Sequence, residues 1–92
     1  MASQQKKYFS TSYNQLGLNY LRKADYQNSI ENFINSIEYK DYYPIDRSYL
    51  YLMNLGCAYY QQGDYKEAVS TFIESLKKYP EDKIMKRVSL IH

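Results

Sequence analysis

Cys57 is the one thiol in this chain and His92 its one imidazole. A zinc cluster or a Cys–His nucleophile needs several such groups at ligand or hydrogen-bond spacing. Cys57 has no second Cys and no His near it, so it reads as a small apolar residue on a helix. An internal disulfide is ruled out by the same count. No Gly-rich phosphate loop, nucleophile elbow or paired-carboxylate arrangement is present. The expectation is a protein that is not an enzyme and that takes no cofactor and no metal. The chemistry left is that of recognition. There are 13 tyrosines and no tryptophan, so many rings should be half-buried with a hydroxyl toward water or a partner. Tyr8, Tyr39, Tyr42, Tyr43, Tyr49, Tyr51 and Tyr79 are assigned to the surface. Interleaved with Lys and Arg, such rings could stack on single-stranded RNA bases. Packing and protein contact are the favoured use.

Ninety-two residues make one domain at most. A composition 45% hydrophobic with a net charge of +2 is globular and nearly neutral, which argues against nucleic acid or an anionic membrane as a whole-surface partner. No apolar run approaches the ~18–20 residues that span a bilayer, and no secretory signal is visible. A cytoplasmic or organelle matrix or stroma location is expected, not a secreted one.

The elements that position these side chains are helices. Phe9, Tyr13, Leu16 and Tyr20 recur every three or four residues between Ser3 and Lys23. Tyr26, Ile30, Phe33, Ile34 and Ile37 mark a second helix. After Pro44 a third is expected from Ile45 to Gln62, with Leu52, Leu55, Gly56 and Tyr59 on one face, closed by Gly63. A fourth runs from Tyr65 to Lys78, carrying Ala68, Phe72, Ser75 and Leu76, and Pro80 ends it. A short last helix carries Ile84, Met85, Val88 and Ile91. No strand pattern appears.

The chain repeats itself at a shift of 39 residues. Leu16-Gly17 matches Leu55-Gly56, Tyr20 matches Tyr59, Asp25-Tyr26 matches Asp64-Tyr65, Phe33-Ile34 matches Phe72-Ile73, and Ser36 matches Ser75. Repetition on this scale marks a repeated helix–turn–helix unit. Gly56 and Ala68 are small enough for two antiparallel helices to approach closely, and Tyr59 and Phe72 fill the layer between repeats. The first copy departs at Ala24 for Gly63 and Ser29 for Ala68. Asp41 stands where a closing Pro would fall.

The second copy, with Asn54-Leu55-Gly56, Tyr59, Gly63-Asp64-Tyr65, Ala68, Phe72 and Pro80, resembles the tetratricopeptide repeat family. The resemblance covers about residues 10–82. It implies an all-α fold of antiparallel helix-turn-helix repeats in a right-handed superhelical stack, here two repeats plus a C-terminal capping helix. The expected divisions are an N-terminal tail or helix extension over 1–9, repeats over 10–41 and 48–81, a connector over 42–47 and the capping helix over 82–92. The segment from Pro44 to Tyr49 followed by Asn54-Leu55-Gly56 is also similar to a repeat junction in photosystem I assembly proteins of this family.

In that family the first helix of each repeat lines a concave groove. The groove positions here are Thr11, Asn14, Leu18 and Leu21, then Leu50, Met53, Asn54, Cys57 and Tyr60, with Ile84, Arg87 and Ile91 from the last helix. The set is mostly apolar and suits an amphipathic helix or apolar peptide segment. The capping helix or a second copy of the chain could fill it instead. The family's carboxylate clamp is not expected, because only Asn54 matches it. Tyr42 and Tyr43 are a possible edge anchor. Two repeats fall below the about three usually needed for independent stability. The expected role is therefore a protein-interaction module, a small subunit or assembly factor of a larger complex. A self-associating, homodimeric scaffold is the alternative, and RNA binding comes third.

Overall fold

Two antiparallel helical hairpins pack side by side around Phe33. The computed structural model describes residues 9–39 and 47–79. Helix α1 spans Phe9–Arg22, α2 Tyr26–Glu38, α3 Ser48–Gln62 and α4 Tyr65–Lys78. Among the described residues there is no strand. α1 pairs with α2 and α3 with α4, the hairpins join through α2 and α3, and α1 also meets α3. The order is that of an all-α repeat stack. The expected capping helix, the Ser3 helix start and the connector at Tyr42–Pro44 lie outside the described residues.

Each hairpin turn uses one aspartate twice. Asp64 N–H donates to Tyr59 O at 2.9 Å and Gly63 N–H to Tyr60 O at 3.0 Å, closing α3. The Asp64 side chain then accepts from Glu67 N–H and caps α4. The first turn repeats this geometry, with Asp25 N–H on Tyr20 O at 2.9 Å and Ala24 N–H on Leu21 O at 3.0 Å. Asp25 caps α2 through Asn28, whose side-chain amide also donates to it at 2.8 Å. The left-handed residue is Gly63 at φ +97° in one turn and Ala24 at φ +61° in the other. Ala24 carries a Cβ where the motif favours none.

Within each hairpin a phenyl ring lies on a glycine. A Cβ added at Gly17 would come within 2.6 Å of Phe33, and one added at Gly56 within 2.6 Å of Phe72. Phe33 is fully buried and forms the centre of the core with Leu55 and Ala58. Leu18, Leu21, Ile30, Ile34, Ile37 and Tyr59 pack around them. Ser29, standing where the second hairpin has Ala68, is fully buried and donates to Gly17 O at 2.8 Å, which satisfies its hydroxyl.

Two expectations are corrected. α3 begins at Ser48 rather than Ile45, because Arg47 is non-helical at φ −103°, ψ 11° and its carbonyl accepts the first helical bonds, from Leu50 and Tyr51. On α4 the buried residues are Ala68, Thr71 and Ser75, and Leu76 is 66% exposed. Tyr49 and Tyr51 are buried, not surface residues. Tyr49 packs edge-on against Tyr79 at 5.2 Å, and the Tyr51 hydroxyl lies 3.4 Å from Thr11 Oγ1.

Candidate protein-interaction surface

α1 and α3 are joined by polar contacts between residues 40 apart. Asn54 Nδ2 donates to Asn14 Oδ1 at 2.9 Å, and Thr11 and Tyr51 meet through their hydroxyls. This bond links the two amides at a half-buried site, using one Asn54 N–H and the Asn14 carbonyl oxygen. This seam aligns the helices from which the candidate groove residues project.

The predicted residues fall into unlike groups. Leu50, Met53 and Tyr60 are exposed large apolar side chains on α3, at 44%, 40% and 58%. Their spacing of three and seven residues keeps them near one side of the helix. Cys57 is half-buried between them in sequence. Leu18 and Leu21 of α1 are half-buried and pack against the Phe33–Leu55–Ala58 cluster, so much of their apolar surface is spent inside the protein. Tyr60 meets Tyr65 edge-on at 5.2 Å across the α3–α4 turn. Arg87, Ile84, Ile91, Tyr42 and Tyr43 lie outside the described residues.

Sequence reasoning passed over Gln15, the exposed residue on α1 that matches Asn54 in the repeat. The shift of 39 was the signal that could have found it. Tyr59, packed against the Phe33–Leu55–Ala58 cluster, holds its phenolic proton more tightly than usual. Burial raises its pKa first, and the nearby carboxylates of Glu67 and Asp64 add to the effect.

Among the described residues no three His, Cys, Asp or Glu side chains gather as a metal site. No helix there is long and apolar enough to cross a membrane. A family model described as Tetratricopeptide repeat matches residues 8–81. This chain belongs to the tetratricopeptide repeat family. The match takes in the four described helices of this tetratricopeptide repeat protein. It does not extend to the likeness with photosystem I assembly proteins at the Pro44 junction. No curated protein and no solved structure matches the chain significantly.

Proposed function

We propose that this tetratricopeptide repeat protein is a non-enzymatic interaction module, a small subunit or assembly factor, that takes an apolar or amphipathic helix of a protein partner on the α1–α3 surface. The observation that carries the reading is the exposed stripe of Leu50, Met53 and Tyr60 beside the Asn14–Asn54 seam, in a family of protein-binding repeats. Apolar side chains held out by a rigid scaffold bind helices through their i, i+3, i+4 and i+7 anchors. The seam keeps the two helices at a fixed separation, which limits the ordering cost of binding.

The test uses Met53→Glu and Leu50→Glu, with Lys66→Glu on the exposed side of α4 as control. Both groove variants should keep the parent's helicity and melting temperature and lose the stoichiometric partner recovered from native extract. Retention of that partner by both would remove the groove from the proposal. Leu18 is unsuitable for the test, since an acid there would enter the core. Self-association is the second reading, supported by the exposed Leu16 on α1 and Leu76 on α4. A monomer in sedimentation at high micromolar concentration would defeat it. RNA stacking loses support with the burial of Tyr49 and Tyr51.

A further inference from the structure

Two polar rungs join α1 to α3, three residues apart on each helix. Thr11 Oγ1 and the Tyr51 hydroxyl lie 3.4 Å apart, and Asn54 Nδ2 donates to Asn14 Oδ1 at 2.9 Å. About one turn further along α1, Leu18 packs against the Phe33–Leu55–Ala58 cluster, and the seam becomes apolar. The Asn rung therefore stands inside the candidate stripe. Leu50 precedes Asn54 by about one turn of α3 and Met53 adjoins it, both exposed.

Each amide offers two N–H groups and a carbonyl oxygen, and the rung uses one of each kind. The Asn54 carbonyl, one Asn54 N–H and two Asn14 N–H groups are left over. Among the described residues no other group bonds them. Reversing the rung, with Asn14 as the donor, leaves the same count. Both side chains are half-buried, and on the open surface these groups are left to water. A helix laid over the rung takes that water away, and polar groups left unbonded beneath it weaken binding. The middle of a partner helix has its backbone N–H and C=O groups engaged in its own i to i−4 bonds. Only a side chain can answer the rung. Leucine offers nothing, lysine only donors and a carboxylate only acceptors. An amide offers both.

We propose that the Asn14–Asn54 rung selects a partner helix carrying one amide side chain, Asn or Gln, within its apolar face, and that this contact fixes the register of that helix along α1 and α3. The inference rests on the groove reading of this surface and adds the partner's chemistry at one position. The stripe of Leu50, Met53 and Tyr60 alone would accept a leucine-faced helix in registers one turn apart. A single polar position on an apolar seam tells those registers apart, as a buried asparagine does in a coiled coil.

Fluorescence anisotropy on the full chain tests the requirement with three synthetic helical peptides. One has an unbroken leucine face. The second has one central leucine of that face replaced by Asn. The third keeps the leucines and carries the Asn on its polar face. The second should bind about tenfold more tightly than the other two. Asn14→Leu combined with Asn54→Leu should reverse that order. This double variant should keep its helicity and melting temperature, because replacing both bonded amides by apolar groups of similar size is nearly neutral. The comparison on the unaltered chain stands without it. An unbroken peptide that binds the unaltered chain as tightly as the second overturns the amide requirement and leaves the groove reading in place. A preference for the second peptide that persists in the double variant also overturns the requirement. Binding of none, as when the chain's own segment or a second copy fills the surface, overturns the groove reading and the requirement together.

Discussion

Ala24 holds a left-handed backbone at φ +61° in a turn whose twin uses glycine. The turn tolerates it because Asp25 still closes α1 and caps α2, bonds that depend on main-chain geometry and a carboxylate rather than on residue 24. The Cβ nonetheless costs about 1–2 kcal/mol relative to a right-handed residue, partly offset by the chain entropy that glycine would lose on folding. Ala24→Gly should therefore stabilise the protein by about 0.5 kcal/mol in urea unfolding, and a loss of stability would contradict this account of the turn. Tyr59 gives a second prediction at this scale. Its pKa is raised in the folded state, so its contribution is complete below the unfolded value of about 10 and is lost as pH rises through the folded one. Tyr59→Phe should flatten the alkaline limb of the stability curve above pH 10, with no change in slope near neutrality.

Between elements, the glycine–phenylalanine contacts decide how closely the hairpins close. The two contacts are equivalent in geometry and unequal in surroundings: Phe33 is sealed between the hairpins, whereas Phe72 is half-buried on the last described helix. A methyl at Gly17 must displace a ring with no room to move. One at Gly56 meets a ring with an open side. Overpacking typically costs about 1–3 kcal/mol, so Gly17→Ala should fall at the upper end of that range and Gly56→Ala at the lower. Equal losses in denaturant midpoint would show that Phe72 is as confined as Phe33. Both contacts were legible as aligned letters under the shift of 39. Their inequality was not, because it depends on what lies on the far side of each ring. Leu76, 66% exposed, shows the same dependence: helical spacing names a face, and only the next layer says whether that face is covered.

Across the whole molecule, the fold could be read from the sequence because turn, cap and close-approach residues recur together, and each has a narrow physical purpose. The candidate surface was legible only in outline. Leu50, Met53 and Tyr60 are exposed, but Leu21, which matches Tyr60, is drawn toward the core, as is Leu18, which matches the half-buried Cys57. Tyr49 and Tyr51 were placed outside on composition, and contacts with Tyr79 and Thr11 bring them in. Repeat arithmetic assigns residues to rows, whereas burial depends on how many rows there are.

One pair of bonds shows how far the two hairpins have diverged. Ser10 Oγ donates to Ser36 O at 2.5 Å in the first, and Ser75 Oγ donates to Tyr49 O at 2.6 Å in the second. Positions 10 and 49 are equivalent, as are 36 and 75, yet the hydroxyl that bridges the helices is supplied from opposite sides. A chimera joining α3 to α2 would bring Tyr49 against Ser36, whose hydroxyl already donates to Phe33 O at 2.6 Å, and one joining α1 to α4 would bring two serines to a junction that uses one. Either chimera still holds a serine donor and a carbonyl acceptor at this junction, so the two hairpins have kept the bridge while exchanging the helix that supplies it.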